Sequence, residues 1–410
     1  MELKAFTGMA NTASSETLPE GALVRATNVD IDDAGHIRRR RGTTLLDAGK
    51  YHSVWKSSED VVYAVKDGDL CRFSASLVPT VIHSGVGTEK LHYVQVGQKI
   101  VAKNTSTSIA FSDQDSVVPW GVPHVPSMTL STSAGVMPPG TYTVAATYAR
   151  TTDGYEGGVS SSQFFVLSAS GSIAVTLPAL AGYTANVYVS APNGEVLYRA
   201  VTGVGSTTQI SAVPQSLGIP LRTEGKYPAP GKGPLSRAFG RVYIADGYVL
   251  WATDPFDEHV TMATGYKIFE NRITFLAHVT AGAFVGTEAG IYFVKGPFET
   301  AQLIRLSTSG APEQTPHSID LAYVLKGEQQ DVGVLFITDN GVCVGLADGS
   351  MINLTNKQFE FPKASEVSLM YRKQDGLNQF VGVSSHPGTP TGSARFGDFV
   401  DAEIIRHKEQ

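Results

Sequence analysis

One local pattern recurs along this chain and limits its fold more than any other feature: an apolar run, a tight polar turn, and a second apolar run. It appears at Val61–Phe73 around Asp67-Gly68, at Lys99–Phe111 around Asn104, and at Arg241–Trp251 around Asp246-Gly247. It returns at Gly282–Val294 around Glu288 and Gly290, at Gly333–Gly345 around Asn340-Gly341, and at Val367–Val381 around Asp375-Gly376. The runs are rich in Val, Ile, Tyr, Phe and Thr, which suit a pleated surface. Asp-Gly and Asn-Gly supply the positive φ that primed hairpin turns require, so six β-hairpins are predicted. Helical periodicity is scarce, and the fold class expected is all-β with at most a turn or two of helix.

The intervals between turns refine this. From Asp67 to Asn104 is 37 residues, from Asp246 to Glu288 is 42, from Glu288 to Asn340 is 52, and from Asn340 to Asp375 is 35. Small antiparallel sheets repeated every ~40–50 residues are the mark of β-propeller blades, here about six. The interval from Asn104 to Asp246, 142 residues, breaks the rhythm. Removing one blade leaves about 100 residues, the size of an immunoglobulin or fibronectin-III-like sandwich. Its interior fits: Gly140–Tyr148, Gln163–Leu167, Ser172–Leu177, Ala185–Ser190 and Val196–Val201 read as short strands, with turns at Asp153-Gly154 and Asn193-Gly194. Proline-punctuated linkers flank it, at Trp120–Pro126 and Tyr227–Gly233. The domains expected are an N-terminal arm with first strands at 1–47, propeller blades at 48–121, an inserted β-sandwich at 122–230, and propeller blades at 231–410. The arm is read as extended, with a short strand at Ala26–Ile31, a turn at Asp33-Ala-Gly35 and a basic strand after it.

Composition narrows the function. With 410 residues, 42% apolar and 17% charged, wholesale disorder is excluded. A net charge of −6 excludes a strongly basic nucleic-acid binder at the level of the whole chain, while a local basic patch stays open. The two cysteines, Cys71 and Cys343, lie in apolar runs and read as buried free thiols, not as a disulfide framework or a zinc site. No apolar stretch is long enough for a membrane helix, and no secretory signal is visible at the start, so synthesis and folding in a cytoplasm are expected.

No catalytic constellation stands out. The ten histidines are scattered, none paired at i, i+4 spacing, and neither a Gly-x-Ser-x-Gly elbow nor a P-loop is present. Asp30-Ile-Asp32-Asp33-Ala-Gly35 has the look of a calcium loop, but its twelfth position is Arg41 and no helix flanks it, so a turn is read there. Ser112–Trp120 has a faint sialidase-box look without the required Gly. Asp254, Asp257 and Glu258 form the densest acidic group outside the arm and read as a solvated loop. Tyr243, Tyr248, Trp251, Tyr292 and Phe293 read as core or inter-blade packing. The run Arg38-Arg39-Arg40-Arg41 has two readings: guanidinium forks that clamp phosphate, or an interface strand paired with Asp30, Asp32 and Asp33. No cofactor, metal or catalytic residue is expected, and the chain is read as a non-enzyme.

The segment Leu18–Gly42, with Asn28-Val-Asp30-Ile-Asp32, Gly35 and the Arg38–Gly42 run, resembles the opening of the tail nozzle, or tail hub, proteins of short-tailed bacteriophages. The proline-rich entry, the sandwich insertion and the return through Pro228–Gly233 also look like that family. By motif the likeness covers about 25 residues, and related arms occur in other tail components. The resemblance implies a structural virion protein, assembled in the host cytoplasm and located in the tail. It would form a homo-oligomer, a hexameric ring below the portal and adaptor, in contact with tail fibres or spikes. Double-stranded DNA would pass through the lumen without sequence-specific binding. Asn28, Asp30, Asp32, Gly35, Arg38, Arg39, Arg40 and Arg41 carry over as arm or interface residues. A ring of six such chains would total about −36, and an acidic or neutral lumen lets DNA slide. The departure is length, since this chain is compact for a nozzle and a long distal tip or second insertion is not expected. The competing readings are a host-surface carbohydrate-binding tail module and a propeller glycosidase.

Overall fold

The computed structural model describes residues 8–10, 13–14, 16–18, 20–24, 29–31, 36–39, 45, 47–112, 117–159, 161–212, 218–325, 331–355, 364–374, 377–385 and 402–405. Among them the chain is all-β. Their one helical piece is a 3₁₀ turn at Leu321–Tyr323.

Six four-stranded sheets follow one another as blades. Blade 1 is Tyr51–Lys56, Val62–Lys66, Asp69–Phe73 and Pro79–His83; blade 2 is His92–Val96, Lys99–Lys103, Ser108–Phe111 and Val118–Pro119. Blade 3 is Leu235–Ala238, Arg241–Asp246, Val249–Ala252 and Tyr266–Ile268; blade 4 is Ile273–Val279, Gly282–Thr287, Gly290–Lys295 and Gln302–Ser307. Blade 5 is His317–Asp320, Val332–Thr338, Gly341–Gly345 and Met351–Asn353. Blade 6 takes its first strand, Glu313–Gln314, from ahead of blade 5 and pairs it in parallel with Glu366–Gln374, followed by Leu377–Ser385 and Ala402–Ile405.

All six expected hairpins are present, and each is the second and third strand of a blade. The turn chemistry differs from the expectation in detail. Asp67 and Gly68 both have positive φ, 51° and 92°, as a primed turn needs. In blade 3 the loop is Gly247-Tyr248, because Asp246 already pairs with Val249. In blade 4 the loop is Glu288-Ala289, and Gly290 is a strand residue paired with Thr287. In blade 2 Asn104 closes a longer loop by accepting from the backbone of Ser106 and Thr107 at 3.0 and 2.7 Å. The Asp375-Gly376 turn lies outside the described residues.

The middle strands read as near-continuous apolar runs because both of their faces are buried. Ile100 and Ala102 pack toward blade 1, with Tyr63, Val65 and Leu70, whereas Val101 packs toward blade 3, with Val242 and Ile244. Tyr243 and Ala245 turn the other way, toward Val285 and Val294 of blade 4. Phe284 and Phe293 of blade 4 meet Phe336 and Cys343 of blade 5, and Val342 and Val344 continue to Val367 and Phe380 of blade 6. Side-chain alternation thus feeds two different cores from one strand. Gly345 is required where Phe284 comes close, since a Cβ there would sit 2.5 Å from the ring. Cys71 and Cys343 are buried free thiols as expected, and burial pushes the Cys343 thiol up to about 11.

Between blades 2 and 3 sits a seven-stranded sandwich. One sheet is Thr129–Met137, Gly171–Thr176 and Thr207–Ile210; the other is Gln163–Leu167, Gly140–Arg150, Tyr183–Ser190 and Leu197–Val204. Its core is its own, centred on Met137, Tyr142, Val144, Ile173, Val187 and Val189. In the arm, Val29–Ile31 pairs with Ile37–Arg39 as a two-stranded ribbon that adds to no blade.

Phe284 is fully buried between two other phenylalanines, with ring centroids 4.9 Å from Phe293 and 5.7 Å from Phe336. Phe284→Ala is expected to cost about 3–5 kcal/mol. The check is the urea unfolding midpoint at constant slope; a loss below about 1 kcal/mol refutes a continuous blade 4–blade 5 core.

Candidate functional site

Two places gather polar side chains from distant parts of the chain: the cavity on the wheel axis and the seat of the sandwich. The first strands of blades 1 to 5 surround the axial cavity, which has a volume of about 890 Å³. Its wall carries Lys56, Lys90 and Arg237, and among the described residues no carboxylate lines it. Two of these cations are engaged: Lys56 Nζ lies 2.6 Å from Asp60 Oδ1, and Lys90 Nζ lies 2.9 Å from Glu366 Oε1 and 3.9 Å from Glu313 Oε1. Arg272 reaches the same Glu313 at 3.7 Å and Glu288 at 2.8 Å. Charges from four separate stretches of chain are thereby tied together near blade 6's first strand. His92 and His278 line the cavity, and both are held neutral, first by burial and then by Lys90 and Arg237 respectively; His92 falls to about 3. Trp55 stacks on Tyr93 at 5.3 Å and 11° along the same wall.

The seat is where sequence reasoning needs correction. Asp257 is exposed, as a solvated loop requires, but Asp254 is half-buried and Glu258 buried. Lys226 Nζ, on the exit linker, pairs with Asp254 Oδ2 at 2.7 Å and Asp257 Oδ2 at 3.5 Å. Glu258 is buried and accepts from Tyr155 Oη of the sandwich at 2.7 Å. Lys99 Nζ of blade 2 sits 3.6 Å from the Tyr155 ring centroid, 3.6 Å from Asp153 and 3.9 Å from Glu258. His259 is buried and stacks on Tyr155 at 4.2 Å; its Nε2 donates to the Glu156 carbonyl at 2.9 Å, and its Nδ1 has no partner. Glu156 in turn accepts from Tyr188 at 2.6 Å and from Thr147. Buried Arg150 holds Asp153 through two bonds of 2.9 Å and donates to the Pro119 carbonyl. Lys103 lies beside both linkers, 3.3 Å from the Ala229 carbonyl and 5.4 Å from the Trp120 ring, and burial lowers it to about 8. Burial, then the bond to Glu258, drives the Tyr155 hydroxyl up.

Of the arm residues, the structure brings Asp30 and Arg38 to facing positions of the ribbon. Asp30 is buried, and Arg38 and Arg39 are exposed. Asn28, Asp32, Gly35, Arg40 and Arg41 lie outside the described residues, as do Asp33 and residues 113–116 of the sialidase-like stretch. The aromatics largely pack as expected: Tyr243, Tyr292 and Phe293 are buried, and Trp251 lies 5.0 Å from Tyr266. Tyr248 is the exception, exposed as a loop residue. Among the described residues, no three His, Cys, Asp or Glu side chains form a group able to hold a metal, and no helix is long and apolar enough to cross a membrane.

No protein-family model matches this chain, and neither does any curated protein. Among solved structures it is similar to BBS1N in complex with ARL6DN, at 9% identity and TM-score 0.34, over 81% of this chain and 88% of that one. It is similar to the N-terminal domain of Nup159 at 9% identity and TM-score 0.32, over 86% and 77%. The *Saccharomyces cerevisiae* protein Sqt1 is similar at 11% identity and TM-score 0.20, over 74% and 93%. The wheel is read from its own strand order and takes nothing from these proteins.

Two outcomes test this site. Glu258→Ala strips Tyr155 of its acceptor and Lys99 of one partner, at a cost of about 1–3 kcal/mol. Faster proteolysis within the linkers at 121–126 and 226–233 is expected; cleavage at the unmutated rate refutes the seat. The second is pH dependence. Burial holds His92, His259, His278 and His317 below the ordinary histidine value. The unfolded chain binds their protons near pH 6.5 and the folded chain does not, so stability is full above 6.5 and falls as pH drops. Each histidine adds a slope of up to about 1.4 kcal/mol per pH unit. Urea midpoints at pH 7.5, 6 and 5 are expected to fall steadily, less steeply in His92→Gln; a flat profile refutes the burial of these rings.

Proposed function

We propose that this chain is a non-enzymatic structural component of a bacteriophage tail, a nozzle subunit that assembles into a ring with other copies of itself. The ring conducts double-stranded DNA and joins portal-adaptor proteins on one side and fibres or spikes on the other. The observation that carries this reading is the arm. Val29–Ile31 and Ile37–Arg39 form a ribbon of two strands, and such a ribbon is marginal in water unless something packs on it. Ile37 is 41% exposed on it, between His36 and Arg38, which are exposed as well. The exposed edge at Ile37–Arg39 is the part of the ribbon that a neighbouring copy would cover. The apolar side chains Phe164 and Val166, exposed on an edge strand of the sandwich, offer a second assembly surface.

The axial cavity supports a ring in a different way. A six-residue first strand spans about 20 Å at ~3.3 Å per residue. A volume of about 890 Å³ over that height is the size of a small-molecule site. In this reading duplex DNA does not thread one wheel, and the conduit is formed by several chains around a common axis.

The test is native mass spectrometry with negative-stain imaging of the purified protein, alone and with the 1–47 segment removed. A ring near six subunits is expected for the full chain, and a folded monomer for the truncated one. A full chain that stays monomeric at high concentration and binds glycans refutes the nozzle and favours the carbohydrate-binding reading. Turnover of a glycoside refutes it in favour of a hydrolase.

A further inference from the structure

We infer that the axial cavity of the wheel is a binding site for a small phosphate-type anion, held by the Arg237 guanidinium beside His278 and Ser236. The chain as a whole carries 38 acidic against 32 basic residues, yet among the described residues no carboxylate lines this cavity and three cations do. Arg237 and His278 are exposed at the cavity wall, where such a segregation of charge favours an anion.

The three cations differ in what holds them. Lys56 and Lys90 have carboxylate partners at 2.6 and 2.9 Å, so they add to the field with their charge partly met. Arg237, on the first strand of blade 3, makes no ion pair or side-chain hydrogen bond with any described residue. Its planar fork of donors matches the geometry of phosphate oxygens. Beside it, His278 Nδ1 lies 3.4 Å from Ser236 Oγ, and its Nε2 has no hydrogen-bond partner among the described residues. Desolvation and then Arg237 keep that imidazole neutral, and in the tautomer whose Nδ1 accepts from the Ser236 hydroxyl, Nε2–H donates to an incoming oxygen. A volume of about 890 Å³ lies within the range of small-molecule sites, and the Trp55–Tyr93 stack closes one side with apolar surface. This inference stands on the wheel alone and does not depend on assembly into a ring.

The experiment is calorimetric titration of the full chain with inorganic pyrophosphate at low ionic strength. Arg237→Gln and Arg237→Lys are compared with Arg305→Gln, which alters a cation on the fourth strand of blade 4, away from the cavity. Saturable binding with one site per chain is expected, weakened at least about tenfold in Arg237→Gln, less in Arg237→Lys, and unchanged in Arg305→Gln. Circular dichroism melts of each variant establish that it is folded. Absence of saturable heat in the unmutated chain overturns the site. So does binding that survives unchanged in a folded Arg237→Gln, or binding lost equally in Arg305→Gln.

Discussion

The wheel depends on one constraint: the second and third strands of blades 2 to 5 are buried on both faces, and each face belongs to a different neighbour. Ile100 and Ala102 serve the core shared with blade 1, and Val101 serves the core shared with blade 3. A strand that slipped by one residue would exchange those two sets and spoil two cores at once. The register of blades 2 to 5 is therefore checked twice, and the five inter-blade cores form a chain of mutual dependence from blade 1 to blade 6. Between blades 4 and 5 the fit is tight enough that Gly345 leaves its Cβ space to the Phe284 ring.

The guest sandwich is attached on different terms. It has its own apolar core, and its contact with the wheel is made of Lys99, Tyr155, Glu258, His259 and Arg150. Contacts between domains of one chain tend to be more polar than an interior. Here nearly every buried polar group finds a partner, so the seat specifies an orientation as well as an attachment. The unpartnered Nδ1 of His259 is the weak member, and protonating it would place a charge where burial already opposes one.

This difference also explains what was legible in the sequence. The middle hairpins were readable because two-sided burial writes continuous apolar runs and the turns carry Asp, Asn and Gly. The insertion was readable from the interval it opens between Asn104 and Asp246. The first strands of the blades were not, since His92–Val96 and Leu235–Ala238 turn His92 and Arg237 toward the cavity and lose the apolar signature. The strand Glu313–Gln314 is two residues long and joins blade 6 from the far side of blade 5, a pairing no local pattern can announce. The seat was misread for a related reason. Asp254 and Glu258 look like part of a solvated loop because their partners, Lys226, Lys99 and Tyr155, lie elsewhere in the chain.

Net charge shows the same gap between sum and placement. A total of −6 describes the chain, and an acidic lumen for DNA is a natural extrapolation from it. At the wheel axis charges are placed in pairs: Lys90 meets Glu366 and Glu313, Lys56 meets Asp60, and Arg272 ties Glu313 to Glu288. Of the three cations on the cavity wall, Arg237 alone has no carboxylate within ion-pair distance among the described residues. The sign of the field a ligand meets there is set by this pairing and not by the net charge of the chain.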